Sequence, residues 1–243
     1  MKVTHYQAAG LNCVEVAPIA AKPDLPLVIG LHGWGDWGET YTLFAPLIST
    51  TNYRYVFPTG PNHIIGVLFS WFNIEYKGGF LANLAPSIAQ ARPLIIALIE
   101  ELRQRYNLPA DRVALGGFSL GAMVTLDVGL HYPEKLGGLF SLSGFLAADS
   151  DFNLANPMDM EGYYRRDQGD LQKLLAQTAE RRVPILVAHG LFDYLIPTQA
   201  GRYCYNQLRT AGVPAELYEF WGGHQITLDE LLRLSTFLAK IFK

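Results

Sequence analysis

Charge is scarce in this chain. Only 17% of its 243 residues are Asp, Glu, Lys or Arg, and they sum to a formal −3 at pH 7. That leaves no electrostatic footprint for nucleic acid. The densest basic clusters, Tyr164-Arg165-Arg166 and Arg181-Arg182, read as solvated edges. Cysteine is nearly absent: Cys13 and Cys204 lie far apart and are read as two free thiols in a reducing compartment. No run approaches the ~18 consecutive apolar residues that a membrane span needs. The N-terminus carries no secretory stretch; Met1 to Gln7 reads instead as an alternating edge strand. Cys13 has no apolar segment before it, so a lipid anchor has little support. No grouping of His, Cys, Asp and Glu has metal-ligand spacing. These absences predict a soluble, cytoplasmic protein with no nucleic-acid partner, no stable membrane insertion and no metal.

What the chain has in quantity is apolar surface. Half of its residues are hydrophobic, enough for a thick core and too many for disorder. Strand-like and helix-like segments alternate. Pro26 to Leu31, Tyr53 to Phe57, Arg112 to Gly116, Leu139 to Ser143, Val183 to Ala188 and Ala215 to Phe220 read as strands. Helical spacing runs from Glu39 to Ser49, through Leu94, Ile95, Leu98, Ile99 and Leu102, and over Ala122 to Val128 and Pro197 to Ala211. A closing helix starts at Thr227, with Glu230 completing a capping box and an apolar stripe through Leu228, Leu231, Leu232, Ser235 and Leu238. The pattern predicts one α/β domain over 1–243. Its sheet is mostly parallel with helices on both faces, and its site lies at the carboxyl ends of the strands. Two stretches, 59–83 and 147–170, match no element and could overhang that site.

The chemistry centres on Gly117-Phe118-Ser119-Leu120-Gly121, set between a strand and a helix. Such a turn suggests a nucleophile elbow, which lifts a serine hydroxyl to the top of a sheet. Serine needs a base, and the base needs an orienting carboxylate. Asp193 follows one strand through His189-Gly190-Leu191-Phe192, and His224 follows the last strand through Trp221-Gly222-Gly223. Taken singly, Ser119 also reads as a turn residue, Asp193 as a helix cap and His224 as a surface histidine. Together, in the order Ser…Asp…His, they read as a catalytic triad. Ser119 is the nucleophile, His224 the base, and Asp193 the group that holds the imidazole tautomer. The base must be neutral, so the rate must rise with pH through the ordinary histidine range. His32 and His189 precede glycines at strand ends and read as loop braces. His5, His63 and His131 have no catalytic context.

The oxyanion donors expected are the backbone N–H groups of Leu120 and Trp34, the latter in Leu31-His32-Gly33-Trp34-Gly35-Asp36. Leu68, Phe69, Trp71, Phe72, Phe145, Leu146 and Ile196 are candidate substrate-lining residues, and they favour an uncharged acyl group.

With these motifs, and with Trp71-Phe72, Leu142-Ser143-Gly144, Ile196-Pro197 and Gly223-His224-Gln225-Ile226, the chain resembles the carboxylesterase/phospholipase family of α/β-hydrolases, which includes the acyl-protein thioesterases. The resemblance covers about Leu27 to Phe242. It implies a sheet of about eight strands, the Ser119–Asp193–His224 triad and no cofactor. Leu120 stands where family members commonly carry glutamine, and Trp34 where they often carry a small or aliphatic residue. The bulk of Trp34 points to small acyl groups. The leading expectation is hydrolysis of carboxylic esters, of small or medium apolar acyl groups on small molecules, through an acyl-enzyme. The alternatives are an acyl-protein thioesterase or lysophospholipase, and a non-catalytic binding protein on the same fold. A homodimer is left open.

Overall fold

The computed structural model describes residues 1–73, 84–147 and 169–243. Its frame is an eight-stranded sheet. In chain order the strands are β1 (Lys2–Ala8), β2 (Leu11–Ala17), β3 (Leu27–Leu31), β4 (Arg54–Pro58), β7 (Val113–Phe118), β8 (Gly138–Leu142), β9 (Ile185–Gly190) and β10 (Ala215–Phe220). A separate hairpin holds β5 (Asn62–Ile65) and β6 (Leu68–Ser70). The spatial order of the large sheet is β1-β2-β4-β3-β7-β8-β9-β10. The β1/β2 and β2/β4 pairs are antiparallel and every other pair is parallel. The sheet is therefore mostly parallel, as the alternating sequence predicts.

The central strands are buried on both faces, and their side chains alternate between two cores. Leu27, Ile29 and Leu31 of β3, Leu115 of β7 and Val187 of β9 face one core. Val28, Ala114, Leu186 and Ala188 face the other. This period-2 division is why the strands read as nearly continuous apolar runs. The first core is covered by α3 (Leu84–Tyr106) and α4 (Leu120–His131), with Leu175 of α5 (Gly169–Arg181) and Cys204 of α6 (Thr198–Thr210). The second is covered by α1 (Gly38–Tyr41), α2 (Ala45–Ile48) and α7 (Leu228–Ile241). The α4 helix is buried almost all round. Its Asp127 is held by a two-pronged bond from Arg92 of α3, at 2.7 and 2.8 Å. Cys13 and Cys204 are both free thiols, and both are buried.

Several expectations need correcting. The helix expected from Glu39 to Ser49 is two short helices, because Pro46 has no N–H to carry the ladder through the break. Strand β2 and helix α5 were not anticipated. Within 59–83 the chain forms the hairpin β5–β6, which matches no element expected from the sequence, and 74–83 lies outside the described residues. Of the stretch 147–170, residues 148–168 lie outside them too, and α5 begins at Gly169.

The stripe expected on α7 is rotated. Leu231, Leu234, Phe237 and Leu238 are buried, while Leu228 and Leu232 are more than half exposed. Only half of the capping box closes. The Glu230 N–H donates to Thr227 Oγ1 at 3.2 Å, but neither carboxyl oxygen of Glu230 has a hydrogen-bond partner.

Glu230 is fully buried, and burial raises its carboxyl to about 8. A carboxyl whose folded pKa is raised stabilises the fold most at low pH. That contribution is lost as pH climbs towards the folded value, at up to about 1.4 kcal/mol per pH unit. Glu230→Gln should therefore gain stability relative to wild type between pH 5 and pH 8, by an amount on the order of a few kcal/mol. Urea unfolding at the two pH values measures it. An equal difference at both would show that Glu230 ionises freely.

Candidate active site

The site gathers where β3, β7, β9 and β10 end. At the end of β7 the chain turns through Ser119 with φ +54° and ψ −118°, a strained conformation for a residue with a Cβ. The turn is held by the Ser119 N–H, which donates to Leu142 O of β8 at 2.8 Å. The flanking glycines leave room for nothing larger. A Cβ at Gly117 would lie 2.5 Å from the Gly121 backbone, and one at Gly121 would lie 2.3 Å from Leu31 O. Helix α4 starts directly at Leu120, so the N–H groups of its first turn and its positive dipole end face the serine.

Asp193 sits three residues past β9 and His224 four past β10. The two loops are laced together: the Leu191 N–H donates to Phe220 O and the Phe192 N–H to Gly222 O, both at 2.9 Å. The result is a continuous chain of contacts. Ser119 Oγ lies 2.9 Å from His224 Nε2, and His224 Nδ1 lies 2.7 Å from Asp193 Oδ2. The Leu195 and Ile196 N–H groups donate to Asp193 Oδ1 at 3.0 and 2.8 Å. Burial alone would raise the Asp193 carboxyl. The bonds from His189, His224 and Ile196 overcome that and hold it well below the usual carboxylate range. It stays an anion, so His224 Nδ1 carries a proton and Nε2 is left to accept from the serine. The Phe118 ring packs against the His224 imidazole, 4.8 Å between centroids.

The His32–Trp37 loop after β3 lies against the same elbow. His32 is fully buried. Its Nε2 accepts the Gly60 N–H at 2.9 Å, and its Nδ1–H donates to Gly33 O at 2.7 Å. Burial pushes its pKa down to about 4, despite the opposing effects of the Gly33 carbonyl and Asp36. The ring is therefore neutral, as accepting from Gly60 requires. The peptide between Gly33 and Trp34 is planar and trans, so its C=O and N–H point in opposite directions. Pinning the carbonyl on His32 thus fixes the direction of the Trp34 N–H. Trp71 Nε1–H donates to His32 O at 2.8 Å, and the Gly35 N–H donates to Phe69 O at 2.9 Å, so hairpin β5–β6 braces this loop.

The seven apolar residues expected to line a substrate divide on burial. Trp71, Phe72, Phe145, Leu146 and Ile196 are buried in the first core, and Leu68 and Phe69 are partly exposed on β6. Trp71 acts here as a brace. The structure adds apolar residues that the sequence did not single out. Phe192, Tyr194, Leu195 and Trp221 are all more than half exposed, on the loops that carry Asp193 and His224. The rings of Phe192 and Trp221 meet edge to face, 4.7 Å between centroids. Their only signal in the sequence is their position beside the two motifs. Among the described residues no group of three or more His, Cys, Asp and Glu could hold a metal ion, and no helix is long and apolar enough to cross a membrane.

A mostly parallel eight-stranded sheet with a strained serine between strand and helix defines the α/β-hydrolase fold. The comparisons with known proteins agree. The phospholipase/carboxylesterase family model matches residues 11–161, more than half of the chain. The chain belongs to that family, and it is a hydrolase. It is 28% identical to acyl-protein thioesterase 1 of Kluyveromyces lactis, over 96% of this chain and 99% of that one. It is 29% identical to acyl-protein thioesterase 1 of Schizosaccharomyces pombe, over 83% and 84%. The crystal structure of esterase PE8 covers 99% of this chain and 100% of its own, with a TM-score of 0.76 and 26% identity.

The bonds of His32 lead to a prediction. His32→Leu frees the Gly33–Trp34 peptide and should cost about as much as losing one oxyanion donor, on the order of 10²-fold in kcat. KM should change little. Steady-state kinetics on a soluble ester checks this, and a change confined to KM would contradict it.

Proposed function

We propose that the chain hydrolyses carboxylic esters by nucleophilic catalysis at Ser119, and that it acts as one domain spanning 1–243. The observation that carries the reading is the unbroken contact chain from Ser119 Oγ through His224 to Asp193. In the first half-reaction Ser119 Oγ attacks the ester carbonyl carbon while its proton passes to His224 Nε2. The tetrahedral oxyanion is received by the N–H groups of Trp34 and Leu120. The C–O bond to the alcohol then breaks, and His224 returns the proton to the departing alkoxide. In the second half-reaction water attacks the acyl-serine by the same route. The acid leaves and Ser119 is restored. Asp193 keeps the imidazole in its tautomer and stabilises the imidazolium. No cofactor enters.

Small or medium apolar acyl esters fit best. Leu68 and Phe69 are partly exposed on hairpin β5–β6, which is bonded to the Trp34 loop, and Trp34 itself is exposed. Phe145, Leu146 and Ile196 belong to the first core. One observation favours a second reading, a thioesterase or lysophospholipase acting on lipidated substrates. Phe192, Tyr194, Leu195 and Trp221 place exposed apolar surface on the two catalytic loops, and such surface suits a long acyl chain or an amphiphile. Relatives named acyl-protein thioesterases point the same way. Two free thiols fit a cytoplasmic setting.

Hydrolysis of p-nitrophenyl esters from acetate to palmitate, by wild type and Ser119→Ala, tests the proposal. Wild type should peak at short or medium acyl groups. Ser119→Ala should lose on the order of 10³-fold or more. A peak at palmitate would select the second reading. Activity retained by Ser119→Ala would refute both, and no turnover of any ester or thioester by wild type would leave a binding protein.

A further inference from the structure

The proposed triad uses one histidine, but a second imidazole lies against the same carboxylate. His189, the penultimate residue of β9, is fully buried, as is the Asp193 side chain. Its Nε2 lies 2.8 Å from Ile196 O and 3.4 Å from Asp193 Oδ2. A carbonyl oxygen only accepts, so Nε2 carries the proton and directs it between the Ile196 carbonyl and the carboxylate. The opposite nitrogen, Nδ1, is buried with no hydrogen-bond partner. It packs against the backbone of α6 at Gly201, where a Cβ would lie 2.6 Å from it. Glycine inside a helix carries a conformational cost relative to alanine. That cost is offset here by the space Gly201 leaves for the imidazole.

From this geometry we propose that His189 is a positioning residue for the reaction, acting through Asp193; the proposal rests on the Ser119–His224–Asp193 reading. Asp193 Oδ1 is held by the Leu195 and Ile196 N–H groups. Oδ2 receives His224 and, at longer range, His189. His189 also holds the carbonyl of Ile196, whose N–H is one of the two donors to Oδ1. It therefore closes the short loop 193–196 from its far side and stops the carboxylate turning away from His224. It also shares the charge of the oxygen that His224 uses. The ionisable groups facing Asp193 are His189 and His224.

The test uses the full chain with His189→Leu, His189→Gln and Gly201→Ala. His189→Leu should lower kcat on a soluble p-nitrophenyl ester by about 10-fold or more, with KM within about twofold. The apparent pKa of kcat/KM should move downward, because a carboxylate free to turn away from His224 stabilises the imidazolium less. Glutamine, whose amide N–H reaches as far as Nε2, should restore most of the kcat and the wild-type pH profile. Gly201→Ala, which crowds the ring without removing it, should shift both quantities in the same direction as leucine, and it carries the test if the leucine variant does not fold. A folded His189→Leu with wild-type kcat and pH profile would overturn the proposal. So would equal losses in the leucine and glutamine variants with no change of profile. Labelling of wild type by a fluorophosphonate separates the two levels. Labelled Ser119 with an unaffected His189→Leu sinks this proposal alone, while an unlabelled Ser119 sinks the site reading and this proposal with it.

Discussion

The site depends on one close approach. The carbonyls of Leu31 and His32, at the end of β3, press against the backbone of the turn around Ser119 so tightly that residues 117 and 121 have no room for a Cβ. That contact sets the distance between the serine and the His32–Trp37 loop. It also brings the start of α4 under the serine. Packing at this distance is rigid, because no flexible side chain lies between the two backbones to absorb a shift. The strain at Ser119 is maintained by the elements on either side. Strand β7 is hydrogen-bonded between β3 and β8, and α4 is buried almost all round.

Three histidines serve three purposes around this contact, and their surroundings account for the difference. His32 is buried, accepts a backbone N–H and is held neutral. It fixes the direction of a peptide. His189 is buried with one nitrogen on a carbonyl and the other against a helix backbone. His224 alone has a serine on one nitrogen and a carboxylate on the other, with its side chain slightly open to solvent. Only that arrangement lets a ring accept a proton and be stabilised once it carries it. The loops bearing Asp193 and His224 also carry the exposed Phe192, Tyr194, Leu195 and Trp221, so these two side chains and the apolar rim share one support.

Much of this was legible in the residues, because it is written locally. A strand, a glycine-flanked serine and a helix occur in direct succession, and Asp193 and His224 each follow an apolar strand within a few residues. The capping signal at Thr227 is likewise local, and its hydroxyl does accept the Glu230 N–H. What stayed hidden depends on partners distant in sequence. The acceptor role of His32 needs Gly60, and the burial of Trp71 needs His32. The rotated face of α7 could not be read from spacing alone, since Leu228 and Leu232 obey helical periodicity as well as Leu231 and Leu234 do. Packing against α2 and the sheet decides which pair is buried. The apolar residues offered as substrate contacts show the same limit. Composition marks Trp71 and Phe145 as candidates, but only the three-dimensional arrangement separates a core side chain from an exposed one.

The central claim is that the contact chain makes Ser119 a nucleophile. Its most direct measurement is peptide mapping after reaction with a fluorophosphonate. The account predicts a single adduct on the peptide containing Ser119, formed in wild type and strongly slowed in His224→Ala. An adduct on another residue, or equal labelling of Ser119 in wild type and His224→Ala, would contradict it.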